Sequence, residues 1–183
     1  MSSVASPFGL KPAFDMSGTL RQMQNTILSG FGTSIFQFSP VDILADGSLG
    51  PAAAGARAVG TFQGVEFTGT DGRRRVANTW EANTVATDIV AYYSLYPDMV
   101  YEIQGNAPIL QLHIGQQFDW TAPGGNTTTG LSNQALDVAS IAANAGLRVI
   151  GFNPAPDNVI GDAFTIAQVQ ISQHQYRADI ASV

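Results

Sequence analysis

The 183-residue chain has no cysteine, which removes both a disulfide framework and a thiolate metal site. Charge is also scarce. Asp, Glu, Lys and Arg make up 12% of the residues, about half the usual share of roughly 25%. Lysine occurs once, at Lys11, and glutamate three times, at Glu66, Glu81 and Glu102. No stretch approaches the roughly 18–20 unbroken apolar residues that a membrane span needs. No basic segment followed by an apolar run marks the N-terminus as a Sec-type signal. A membrane partner is therefore not expected.

The net charge of −6 argues against nucleic acid as a partner. Arg73, Arg74 and Arg75 form the only basic run, and they follow TGTDG, a strong turn signal. They are expected to solvate or pin a hairpin rather than to bind phosphate. Soluble proteins normally rely on interspersed charge, so a surface this neutral points to one covered by partners. The alternative is a monomer with a Gln, Asn, Ser and Thr surface. With 45% hydrophobic residues the chain can bury a real core, and its length suits one domain with a terminal arm.

Most of the chain reads as short strands. AVGTFQGVEFTG (58–69) alternates, with Gly60 and Gly64 marking a bulge or a close backbone approach. TDIVAYYSLYP (87–97) and DMVYEIQG (98–105) read as a hairpin joined at Tyr96, Pro97 and Asp98. PILQLHIGQQFDW (108–120), LRVIGF (147–152) and AFTIAQVQISQHQY (163–176) alternate or run apolar, and ALDVASIAANAG (135–146) is read as a strand. DGSLGPAAAGARA (46–58), APGGNTTTGLSN (122–133) and NPAPDNVIGD (153–162) have loop composition. Only TLRQMQNTILSGFG (19–32) has near-helical apolar spacing, at Leu20, Met23, Ile27 and Leu28. Short strands at intervals of about ten residues, with turn residues between them, define the class. The expected fold is all-β: an antiparallel β-sandwich or barrel with an extended N-terminal arm and at most one short helix.

Candidate chemistry is sparse. His113 and His174 have no acidic neighbours at ligand spacing and are read as satisfied polar partners in or beside a sheet. No nucleophile elbow, zincin or phosphate-loop pattern appears. Glu66 and Glu102 lie in expected strands, and a glycosidase pair across a barrel mouth is one way to use them. Exposed carboxylates or a strand-edge salt bridge are the simpler roles. Asn126-Thr127-Thr128 fits a glycosylation sequon and marks an exposed loop. Trp80 and Trp120, with Tyr92, Tyr93, Tyr96 and Tyr101, can build either a core or a sugar-stacking platform. No enzyme and no cofactor are expected, and a carbohydrate-binding β module is the alternative function.

The opening SPFGLKPAFDMSG (6–18) is apolar at Phe8, Leu10 and Phe14, yet Pro7, Pro12, Gly9 and Gly18 oppose regular structure. Residues 1–24 are therefore read as an extended arm and 25–183 as a single β-rich domain. SPFGLKPAF resembles the P-[FY]-G-L-[RK]-P opening of small proteins encoded beside the coat genes of tailed bacteriophages. VGTFQGVEFTGTDGRRRVANTW (59–80), MVYEIQGNAP (99–108), NTTTGLSNQALDVAS (126–140) and LRVIGFNPAPDNVIGDAFTIAQVQISQHQ (147–175) continue the likeness in order. The group is that of the head decoration, or cement, proteins.

That resemblance implies a non-enzymatic virion protein on the outer surface of the capsid, with the major capsid protein as its partner. A homotrimer is expected because icosahedral lattices offer three-fold positions where a closed ring fits. The arm residues Phe8, Leu10, Lys11, Pro12 and Phe14 are the candidate capsid contact, docking in a groove or adding a strand to a neighbour's sheet. The opposing possibility is that the arm covers an edge of its own sheet. We favour the partner, because terminal segments stay loose unless tied down.

Overall fold

The protein is described here by a computed structural model covering residues 4–15, 18 and 21–178. The described residues form twelve strands: β1 (Lys11–Asp15), β2 (Gln22–Asn25), β3 (Pro40–Ile43), β4 (Leu49–Pro51), β5 (Gly60–Gly69), β6 (Arg74–Ala77), β7 (Ala86–Ser94), β8 (Met99–Gln104), β9 (Gln117–Trp120), β10 (Leu136–Ala142), β11 (Leu147–Phe152) and β12 (Ile166–Ile171). One 3-10 turn spans Gln111–His113. Among the described residues no helix is long and apolar enough to cross a membrane.

The strands make two antiparallel sheets, so the all-β expectation holds, and the arrangement is consistent with a β-sandwich. The first sheet runs β1-β8-β12-β11-β9-β10; the second runs β2-β7-β5-β3-β4, with β6 also against β5. Alternation decides which way each strand faces. In β12, Ala167, Val169 and Ile171 are buried while Gln168 and Gln170 turn outward. Buried apolar side chains gather in two clusters. Leu10, Tyr101, Phe118, Trp120, Leu147 and Val169 belong to the first, and Ile35, Val41, Phe62, Val65, Trp80 and Ala91 to the second.

A polar seam links the two sheets. The Ser94 hydroxyl, at the end of β7, lies 2.9 Å from the Tyr101 hydroxyl on β8 and accepts the Thr61 backbone N–H at 3.0 Å. Burial pushes the Tyr101 phenol well above its ordinary range. Gly60 makes this closeness possible. A Cβ there would sit 1.6 Å from the Ser94 carbonyl oxygen, and φ is +156°, so no other residue fits.

Four sequence expectations are corrected. The helical spacing of 19–32 does not produce a helix, because Gln22–Asn25 pairs with β7, Gln22 opposite Ser94 and Asn25 opposite Ala91. Tyr96, Pro97 and Asp98 do not join a hairpin. β7 belongs to the second sheet and β8 to the first, so the chain crosses between sheets there. Alternation over 108–120 forms a strand only from Gln117, since the preceding residues fold into the 3-10 turn. The small-residue loop 46–58 contains β4, which pairs with β3. By contrast, TGTDGRRR folds as the expected hairpin. Gly69 donates its N–H to the Arg73 carbonyl at 3.0 Å, and Arg75 pairs with Asp71 at 2.9 Å.

Candidate interaction surface

The N-terminal segment is tied to its own chain. Ser6 N–H donates to the Gln104 Oε1 at 2.8 Å, Gly9 N–H to the Gln134 carbonyl at 3.1 Å, and Leu10 N–H to the Phe38 carbonyl at 2.8 Å. Gly9 has φ +80°, and a Cβ there would meet the Phe38 carbonyl oxygen at 2.5 Å. This tight turn drives Leu10 inward, where it is fully buried in the first cluster. Leu10 is thus corrected from a capsid contact to a core residue of this chain. Residues 11–15 then pair with β8 as its edge strand, Lys11 opposite Glu102 and Phe14 opposite Val100. The expected division at residues 24 and 25 falls inside β2.

The other candidates separate by depth. Phe8 is half-buried, whereas Lys11 and Phe14 are exposed and Pro12 is intermediate. Lys11, Pro12 and Phe14 line a shallow groove of about 670 Å³ with Glu102, Asn153 and Gln168. Its wall is ordered by a short hydrogen bond, Asn153 Nδ2 donating to Glu102 Oε1 at 2.6 Å. Asn153 Oδ1 in turn accepts the Ala155 N–H at 2.8 Å. The groove combines one lysine, one carboxylate, amides and an open phenyl ring. That composition suits a protein surface with mixed apolar and polar contacts.

The structure does not bring Glu66 and Glu102 together. Glu66 lies on β5 of the second sheet, where Tyr92 donates to it at 2.6 Å and Arg74 pairs with it at 3.2 Å. The Tyr92 hydrogen bond, then Arg74, hold its carboxyl below the usual range, and the same bond raises the Tyr92 phenol. Glu102 lies on β8 of the first sheet with Asn153, so each carboxylate has a separate setting.

Both tryptophans are buried, Trp80 at 0% and Trp120 at 1% exposure, so neither supplies a sugar-stacking platform. His174 has the expected satisfied role, in an isolated bridge with Ala58 rather than in a strand. Its Nδ1 accepts the Tyr176 N–H at 3.1 Å, which leaves Nε2–H to donate to the Leu95 carbonyl at 2.9 Å. Burial lowers its pKa. His113 accepts the Leu110 N–H and packs edge-on against Phe118 at 5.3 Å. Asn126 is exposed, and its Oδ1 accepts the Thr128 N–H at 2.8 Å. Among the described residues no group of three or more His, Asp or Glu is placed to hold a metal ion.

Comparison with family models, with curated proteins and with solved structures finds no match to this chain.

Two features escaped the sequence reading. The Thr61–Ser94–Tyr101 seam brings Thr61 to Ser94 across 33 positions of the chain, and only the glycine at position 60 hinted at a close approach. The free edge of β6 was hidden because a short strand after a turn does not announce which neighbours it lacks.

Proposed function

We propose that the chain is a non-enzymatic virion structural protein that decorates the outer surface of a tailed-phage capsid and clamps major capsid subunits, acting as a homotrimer. The observation that carries this reading is the placement of Lys11, Pro12 and Phe14 together on the outer groove of an edge strand. Phe14 is 45% exposed there, while Leu10 secures the segment from beneath. A strand held this way contacts its partner without the ordering cost of a free arm.

The resemblance over most of the chain supports the reading, as does the low charge. Self-association is supported by Leu110, Leu112, Val159 and Ile160, large apolar side chains left exposed near one end of the first sheet. The test is co-sedimentation of purified protein with undecorated heads. Saturable binding that weakens at least tenfold with Phe14→Ala, while the melting temperature changes little, is the expected result. Absence of binding to heads would overturn the proposal.

A further inference from the structure

We propose that the free edge of β6 is an acceptor for an extended strand from another protein, one with apolar residues at its centre and an acidic residue beside Arg73. This inference does not rest on the decoration reading, and either can fail without the other.

The backbone argument comes first. Gly69 N–H bonds to the Arg73 carbonyl, and β5 and β6 pair in continuous register, Thr68 opposite Arg74 and Val65 opposite Ala77. In an antiparallel pair, residues alternate between those that bond the neighbour and those that point away. Arg73, Arg75 and Ala77 therefore face β5. Arg74 and Val76 turn their N–H and C=O groups outward, and among the described residues no strand lies beyond them.

Natural edges are usually blunted by proline, bulges or inward charge. β1 follows that rule, with Pro12 and a register shift between Pro12 and Phe14. β6 has neither. It instead presents Val76, whose side chain is 80% exposed.

The flanks fit a strand whose side chains alternate up and down. A groove of about 470 Å³ lies along β6 beside Phe67, Arg75 and Thr79, and a second of about 250 Å³ beside Gly64, Tyr92 and Asn78. Val76 and Ala77 border both. Strand addition draws affinity from the backbone and specificity from such alternating pockets.

Charge selects the occupant. Arg74 is engaged by Glu66 at 3.2 Å and by the Asp88 carbonyl at 2.6 Å, and Arg75 by Asp71 at 2.9 Å. The Arg73 backbone N–H donates to Asp71 Oδ1 at 3.2 Å. Its guanidinium, on a side chain 84% exposed, comes no nearer to Asp71 than 4.0 Å, which leaves it open to an incoming carboxylate. A second copy is excluded as the occupant. Antiparallel docking of one β6 on another with Val76 opposite Val76 sets Arg73 opposite Thr79. With Arg75 opposite Arg75 it sets Arg73 opposite Ala77 and adds a like-charge clash, so a second copy brings no carboxylate to Arg73.

The test is a titration of the ¹⁵N-labelled full chain with the peptide acetyl-Asp-Thr-Val-Thr-Val-Thr-Asp-amide, whose two acidic ends make strand direction immaterial. Saturating amide shifts centred on Arg74 and Val76 are expected. A peptide with Lys in place of both Asp should bind at least tenfold more weakly. Val76→Pro removes an outward N–H without breaking a bond to β5 and should abolish the shifts. Arg73→Glu, at a solvated side chain, should reverse the peptide preference and guards against misfolding of the proline variant. No shifts with the acidic peptide, shifts centred elsewhere, or equal binding of the two peptides would overturn the proposal.

Discussion

The hydroxyls of Ser94 and Tyr101 meet at 2.9 Å where the chain passes from the second sheet to the first. Ser94 is the hub of the contact, because it also accepts the Thr61 N–H at 3.0 Å and touches the Thr61 hydroxyl at 3.1 Å. Removing the hub strands more than one buried group, while removing Tyr101 Oη leaves Ser94 with Thr61. Each buried polar group left unsatisfied costs about 1–3 kcal/mol. Ser94→Ala should therefore destabilise the protein more than Tyr101→Phe, by at least about 1 kcal/mol in urea unfolding. Equal losses would mean that the three groups do not act as a network.

Leu10 and Phe14 should respond oppositely to truncation. Leu10 is fully buried among first-cluster residues, so Leu10→Ala should cost about 2–5 kcal/mol. Phe14→Ala, at a 45% exposed ring, should cost less than about 1 kcal/mol yet reduce binding to phage heads. Deleting residues 1–15 removes both the buried leucine and an edge strand, and should lower the melting temperature sharply. A truncated protein that melts like the full chain would show that the N-terminal strand does not contribute to the core.

Gly60→Ala is expected to be among the most damaging single-methyl changes. The added carbon would lie 1.6 Å from the Ser94 carbonyl oxygen, so β5 and β7 must move apart where Gly60 meets Ser94. A loss of about 3 kcal/mol or more is expected, read from chemical denaturation. A change within experimental error would refute the close approach.

Acid should weaken the fold through His174. Burial lowers its folded pKa below the ordinary value of 6.5, so the unfolded chain binds the proton more readily. The stability contributed by neutral His174 is complete above about pH 6.5 and falls as pH drops toward the lower folded value. Unfolding free energy should decline between pH 7.5 and 5, and His174→Gln should flatten that decline. His113 is shifted the same way by burial, so a residual slope is expected. An unchanged slope in the variant would remove His174 from the account.

Much of the fold was legible, and the misses share a cause. The alternation of Ala167, Val169 and Ile171 and the turn chemistry around Asp71 are local, so each could be read where it stands. Partner choice is not local. The turn at Pro97 looks the same whether the next strand folds back on β7 or joins another sheet, and β8 joins β1 and β12. Met23 and Ile27 fit a helix by spacing, but the pairing of Met23 with Tyr93 decided for a strand. For the surface, composition picked out Phe8, Leu10 and Phe14 as apolar residues of the N-terminal segment but did not separate the buried Leu10 from the exposed Phe14. That distinction depends on the turn at Gly9, which is set by a carbonyl of Phe38.

The N-terminal residues supply an edge to each sheet, and this orders events during synthesis. Gln104 binds the Val4 carbonyl across 100 positions, and Gln175 binds Ile43 across 132. β1 and β2 leave the ribosome before their partners, and neither can pair until β8 and β7 have been translated. Such long-range pairing makes folding slow and leaves early β segments exposed to aggregation meanwhile. The prolines and glycines from Pro7 to Gly18 then have a second use, keeping the nascent segment from pairing with a neighbouring chain before its own partners exist.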